Sequence, residues 1–511
     1  MPARESYHRM MVGIDLGTTK SAISVWSDNK PRIIPDEGGN TSIPSRVLVT
    51  TDGKIITGRR ASRHSERYMA TNYSMSSINR AIGEKGKWER IEQKICPQEI
   101  AAFILAELKL QAENYLGEII SDAVITIPCH FDESQCRAVK EAAKIAGLNA
   151  VKLLHGTSAS GLAYGLNRKY DESIMIFDLG GGSTDIAVMR LGDGIYEVIY
   201  INGNGTLGGD DFDQVILQYI WAHMDKKYGS RKLSSYQYSV LKEAAEFAKI
   251  ELSNRLSASI QIPGFIKCGN SYHDLDVLID RKNFETLSNN VFETISEMLK
   301  ETIEKMEIKA SDLNSLLLLG AGSRIPKVKE IVKHEIQLNP VSGLDNDTCV
   351  AQGAGIMAGV LSGDMKNALL LEGVSASIGI ETAGGVMTKL VDKNTITPTR
   401  RSLILSTVQD NQTFVEIHVI RGEKKLAADN ESLGRFQFMD IPKAPKNKVQ
   451  IEITIDIDAF NNMKLSAKDI ATGKEQSMDL SSPYGLSDRQ IEDMRVRHNS
   501  WLENPDEYRL R

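Results

Sequence analysis

The sequence predicts an α/β protein that gives way to an all-β region and closes on a helix. Up to about residue 366, strand-like runs (MVGIDL, SAISVW, DAVITIP, SIMIFDL, AVMRL, SLLLLG) alternate with helical ones (QEIAAFILAELKLQAENYL, NVFETISEMLKETIEKM), as when helices pack on sheets. After Leu371 the long helical patterns stop and short alternating strands take over. Ser487 and Gln490 then form a capping box at the head of LSDRQIEDMRVRHNSWL, with Pro505 as the expected stop.

The all-β reading rests on period two. In KVQIEITIDID, Val449, Ile451, Ile453, Ile455 and Ile457 alternate with polar residues, which describes a strand with one wet face. TFVEIHVIRGE alternates similarly through Val415, Ile417 and Val419. The junction NALLLEG is apolar, whereas a passive tether is normally polar. A segment that can bury Leu369, Leu370 and Leu371 can dock and undock. The expected division is therefore a tail at 1–8, an α/β domain at 9–366, a linker at 367–373, a β domain at 374–482 and a helical piece at 483–511.

Composition narrows the function class. Charged residues make up 25% and hydrophobic ones 41%, as in soluble globular proteins. A net charge of −6 gives no footprint for nucleic acid. The five cysteines form no CxxC pair and no zinc-like cluster, which fits a reducing compartment. The start, MPARESYHRMM, lacks the apolar core of a signal peptide, and no apolar run is long enough to span a bilayer. A cytoplasmic protein without membrane or nucleic-acid partners is expected.

Two segments resemble each other: VGIDLGTTKSAISVW (12–26) and MIFDLGGGSTDIAVM (175–189). Each is a strand ending in Asp-Leu-Gly, a turn of small residues, and a returning strand. Gly17, Gly180, Gly181 and Gly182 let backbone N–H groups approach phosphate oxygens without an intervening Cβ. Thr18, Thr19 and Ser183 add hydroxyl donors, and Asp15, Asp178 and Asp185 are hard oxygen groups suited to hydrated Mg²⁺. One such turn would read as an ordinary hairpin; two matched copies point to a duplicated lobe facing its copy across a nucleotide cleft.

Other glycine patterns are less specific. GNGTLG (203–208) satisfies the dinucleotide pattern, but no acid about 20 residues on ends a second strand. Gly208 and Gly209 are better read as opening the helix DFDQVILQYI, whose N-terminus can meet a phosphate. LLLLGAGSRIP (316–326) is a third glycine turn. Glu246, Lys249 and Ser253 share one helix face, for which solvated surface is the ordinary reading.

Taken together, the chain resembles the heat-shock protein 70 (DnaK-type) family. The resemblance runs through IDLGTTKS, AVITIPCHFDESQ, KIAGLNAVKLL, FDLGGGSTD, LGGDDFD, AKIELS, SRIPKV, GVLSGD, the LLL linker, SIGIETAGGVMTKL, DNQTFVEIHVIRGE and SAKDIATGKEQ. It implies an actin-like ATPase domain with a duplicated ribonuclease-H-like core, a β-sandwich that binds hydrophobic peptide, and a helical lid. It also implies ATP or ADP with Mg²⁺, unfolded clients, a J-domain co-chaperone and an exchange factor. Asp15, Thr18, Thr19, Gly180, Gly181, Gly182, Ser183 and Asp185 would surround phosphates and metal, with Asp178 beside the ion. Glu246, Lys249, Ser253, Gly320, Arg324 and Asp347 would hold adenosine. Ile380, Val386, Leu405, Val415 and Ile417 would meet the peptide, with Ala383 and Val408 forming the arch over it.

The departures from the family bear on catalysis. Asn79 stands at the family's catalytic lysine, Gly156 at a glutamate and Thr157 at the following proline. Cys136 replaces an arginine that relays nucleotide state, and Glu372 replaces the linker aspartate. Lys20 replaces an asparagine on the first loop and brings a cation towards the phosphates. The stretch from Gly83 to Pro97 is shorter than in the family, and the chain reaches Arg511 after only the first lid helix. Two functions remain: a chaperone driven by slow ATP hydrolysis, or a hydrolytically weak nucleotide-binding module. A sugar kinase would leave the β region without a role.

Overall fold

The computed structural model describes residues 10–50, 53–67, 73–75, 77–83, 95–166, 168, 170–229, 232–268, 270–306, 308–480 and 485–504. The expected tail at 1–8, most of the shortened stretch before Pro97, the boundary at 482 and Pro505 lie outside them.

Two sheets with the same wiring organise the α/β part. In the first, Met11–Leu16 pairs antiparallel with Lys20–Ser27, which pairs with Lys30–Ile33, while Asp122–Ile127 joins the other edge of Met11–Leu16 in parallel. In the second, Glu172–Leu179, Thr184–Gly192 and Ile195–Asn204 repeat the meander, and Ser315–Leu319 takes the parallel position. Ile14 faces Ile23 and Ile125; Ile176 faces Ala187 and Leu317. The repeat seen in sequence is thus a repeat in topology. Helices cover these strands, so they read as nearly continuous apolar runs.

The helix Cys349–Ser362 packs on the first sheet and on the helix Gly156–Gly165. Glycines on both sides permit that approach: a Cβ on Gly13 of the strand would lie 2.1 Å from the Gly355 nitrogen, and one on Gly353 of the helix 1.7 Å from the Ala159 carbonyl oxygen. Ser24 Oγ also donates to the Ala351 carbonyl at 2.5 Å, tying strand to helix. Asp132 and Gln135 form a capping box on Glu133–Ile145, and Pro97 opens the long helix Pro97–Leu116.

The apolar junction is docked. Leu369–Leu371 adds to the second sheet as a parallel edge strand, with Ile195, Tyr196 and Glu197 opposite Leu369, Leu370 and Leu371. Beyond it, two four-stranded antiparallel sheets face each other across one core. Ile451, Ile453, Ile455 and Ile457 are all buried, so the period-two pattern is realised on Gln450–Ile457.

The final helix, Asp488–Glu503, starts at the expected Ser487/Gln490 capping box. It rests on Pro97–Leu116 and Glu133–Ile145, not over the β sandwich. Met494 and Trp501 enter the core of the first half, and Arg497 pairs with the fully buried Glu99 at 2.8 Å. No helix among the described residues is long and apolar enough to cross a membrane.

Candidate functional site

The two Asp-Leu-Gly turns face each other across a cleft between the halves. Asp15, Gly17, Thr18, Thr19 and Lys20 line one side; Asp178, Gly180, Gly181, Ser183 and Asp185 line the other. The cleft is open to solvent, and the space between its walls, solvent included, is about 970 Å³. The turns approach closely: a Cβ on Gly181 would sit 2.1 Å from Thr19 Oγ1, so a larger residue there would displace the threonine side chain. Gly182 stands beside Thr18.

The helix opened by Gly208 and Gly209 buttresses the second turn. Gly209 N–H donates to the Gly180 carbonyl at 2.9 Å, and Asp210 N–H to the Gly181 carbonyl at 2.8 Å. These first-turn donors are occupied by the loop, so this helix end shapes the loop rather than offering those N–H groups to a phosphate.

The cleft carboxylates are close enough to disturb one another. Burial pushes Asp15 up to about 6, against a 2.9 Å hydrogen bond from Thr126 Oγ1. Burial, then Asp185 and Asp15, push Asp178 up to about 7. Asp185 accepts from the Cys129 N–H at 2.9 Å and from Ser183 Oγ at 3.2 Å. Oxygen groups that repel in the bare protein are a fitting donor set for a hydrated dication.

Three cleft positions differ from the rest in what they leave open. Asn79 is buried, and its Nδ2 donates to the Leu16 carbonyl at 2.9 Å, while its Oδ1 has no partner. Gly156 lines the cleft, and a Cβ there would meet only Val350 Cγ1, at an ordinary 3.7 Å. Lys20 is exposed on the cleft wall.

The expected adenosine set is only partly gathered. Gly320 and Asp347 line the cleft, and Arg324 pairs with Asp347 at 2.9 Å. Lys249 is instead committed to Asp213 at 2.8 Å and to the Gly209 carbonyl at 3.1 Å. Burial pushes Asp213 up to about 6 against that lysine. Ser253 Oγ donates to the Lys249 carbonyl within its own helix, and Glu246 is half-buried nearby.

Sequence reading missed the ion pairs that join the two halves. Arg80 Nε donates to the Gly182 carbonyl at 2.7 Å, and its Nη2 meets Asp211 at 2.5 Å. Arg46 pairs with Glu243 at 3.1 Å. Partners so far apart in sequence leave no periodic signal. Of the residues expected to bind peptide, Ile380 and Ile417 are buried in the sandwich core, while Val386, Leu405 and Val415 are half-buried. Ala383 and Val408 are exposed.

The Hsp70 protein family model matches residues 11–96 and 87–509, nearly the whole chain. The chain belongs to the Hsp70 family. In this Hsp70 the sandwich and linker are held on the α/β part by named contacts. His155 Nδ1 lies 3.0 Å from Glu372 Oε1, and Lys152 Nζ donates to the Ala459 carbonyl at 2.9 Å. The Glu431 carboxylate accepts from the N–H groups of Glu133 and Ser134, at 3.3 and 3.1 Å. Cys136 is half-buried against the core of the first half, and Thr157 is fully buried with its Oγ1 3.2 Å from Cys129 Sγ.

Proposed function

We propose that this Hsp70 is an ATP-dependent chaperone, with residues 9–366 as an actin-like ATPase domain and 374–482 as a peptide-binding sandwich. One observation carries the reading: two matched aspartate–glycine turns face each other in a cleft whose rim runs directly into the linker contact. Gly156 lines the cleft, and its neighbour His155 grips Glu372 of the linker.

Asp15 and Asp178 would hold Mg²⁺ largely through water, and the bound ion supplies positive charge against the phosphates. Thr18, Thr19, Ser183 and the glycine N–H groups hold phosphate oxygens. Asp185 is fixed by the Cys129 N–H and braces Ser183. Lys20 supplies the cation that Asn79 lacks. Hydrophobic segments of unfolded proteins bind the sandwich, with a J-domain partner and an exchange factor acting on the cycle.

Calorimetry with ATP, with and without Mg²⁺, tests the reading. Wild type should bind Mg²⁺-ATP, and Asp178→Asn should weaken Mg²⁺-ATP more than ATP alone. Absence of nucleotide binding by the wild type would sink it.

A second reading, a nucleotide-gated binder with negligible hydrolysis, is favoured by the tether of Asn79 to Leu16 and by the missing carboxylate at Gly156. Single-turnover hydrolysis separates the two.

A further inference from the structure

A second cavity lies between the α/β part and the sandwich, with about 700 Å³ of empty space. Its walls include His130 and Asp132 from the loop before Glu133–Ile145, and Lys393, Arg421 and Glu431 from the sandwich. None of these residues lines the cleft between the two Asp-Leu-Gly turns.

The acids in this cavity are already engaged. Asp132 Oδ1 accepts the Gln135 N–H at 2.7 Å as a helix cap. The Glu431 oxygens take the next N–H groups of the same helix end. Burial, opposed by Arg421, pushes Glu431 up to about 7, so near neutral pH it has lost part of its charge.

The basic groups are only partly engaged. Arg421 Nη2 donates to the Phe131 carbonyl at 3.3 Å and to Ser375 Oγ, but its Nη1 is buried without a hydrogen-bond partner. The Glu431 oxygen beside it is 3.7 Å away, too far for a hydrogen bond. His130 Nδ1 is likewise buried without a partner, 3.9 Å from Asp185. The Lys393 ammonium lies over the Tyr200 ring at 5.5 Å, in surroundings whose burial disfavours its charge. A buried guanidinium N–H left without an acceptor is costly, and native proteins rarely keep one so.

We propose that this cavity binds a small oxyanion, a phosphate or carboxylate group, held by Arg421, Lys393 and His130. The donors come from both sides of the junction, so the bound anion stabilises the docked arrangement in proportion to its occupancy. Water could fill the space, but it would bring no charge to the lysine and arginine.

The test is calorimetric titration of the full chain, without nucleotide, with inorganic phosphate and separately with malonate. The two arms show which oxyanion the cavity takes. Wild type should bind at least one of them. Lys393→Ala should weaken that binding roughly tenfold, the scale of one charge-assisted hydrogen bond. Arg421→Gln should weaken it further, and the bound anion should slow hydrogen exchange at Leu369–Leu371. Arg421→Gln loses contacts that join the two parts, so Lys393→Ala, which removes the contact with the Tyr200 ring and the attraction of Glu423 and Glu301, remains decisive if the arginine variant fails to fold. No binding of either anion overturns the proposal. So does binding that changes in Asp178→Asn but not in Lys393→Ala, which would place the anion in the nucleotide cleft.

Discussion

His155 Nδ1 stands 3.0 Å from Glu372 Oε1, and both side chains are buried. Burial alone would raise the Glu372 carboxyl; the hydrogen bond and charge of His155, with Lys152, instead hold it down at about 2. Breaking one partner leaves the other buried and uncompensated. A double-mutant cycle with His155→Ala and Glu372→Gln, read by hydrogen exchange at Leu369–Leu371, should give a coupling of about 1–3 kcal/mol. A coupling near zero would mean that the pair does not hold the linker. Since Glu372 is depressed when docked, its contribution is present above its ordinary value of 4.5 and lost as pH falls towards 2.

The closing helix should release in acid. His498 is fully buried and stacked on Phe103 at 3.9 Å. Burial pushes it down to about 3, with the Glu99 backbone opposing and the Arg497 charge adding. The charged groups acting on it are the Glu99–Arg497 pair; Arg137 and Glu141 bond the Leu486 backbone, just before the helix begins. The docked state refuses a proton that the free helix accepts. Docking is therefore complete above 6.5 and weakens about tenfold per pH unit as pH falls from there towards 3. Trp501 fluorescence, corrected with Trp501→Phe, reports it, and His498→Phe should flatten the dependence. A wild-type signal that stays level over this window would contradict the assignment.

Peptides should leave the sandwich quickly in this arrangement. The helix Asp488–Glu503 lies on the α/β part, and Val408 is 70% exposed. Differences of this kind fall mainly on dissociation. A fluorescent hydrophobic peptide should associate at an ordinary rate and dissociate fast. Release over minutes or longer from the docked form would count against it.

Hydrolysis should be recoverable by substitution. A Cβ on Gly156 would make only an ordinary contact, so Gly156→Glu tests whether a carboxylate at the cleft restores rate. Removing one preorganised group beside a reacting phosphate typically costs about 10²–10³ in rate. Asn79→Lys with Gly156→Glu should therefore raise single-turnover hydrolysis by at least about tenfold. Lys20→Asn should lower the wild-type rate. If Lys20→Asn changes nothing, Lys20 is a solvated surface lysine and the protein is a nucleotide-gated binder.

The parts legible in the sequence were those with local causes. The Asp-Leu-Gly turns, the period-two strand at Gln450–Ile457 and the Ser487/Gln490 cap are each specified within a few residues. The Glu246/Lys249/Ser253 face shows the limit. Spacing put the three on one side of a helix, yet Lys249 is spent on Asp213, an acid on the preceding helix. Arg80 with Asp211 and His155 with Glu372 meet only through the tertiary fold, so no window of sequence contains them. The same holds for the closing helix, whose cap says where it starts but not which surface buries Trp501.

If the cleft between the two Asp-Leu-Gly turns governs the docked linker, hydrogen exchange at Leu369–Leu371 reads that control. Mg²⁺-ATP should change protection of these three residues in the wild type, and Asp178→Asn should reduce the change in step with its loss of Mg²⁺-ATP binding. Saturating Mg²⁺-ATP that leaves linker exchange unchanged would contradict the account.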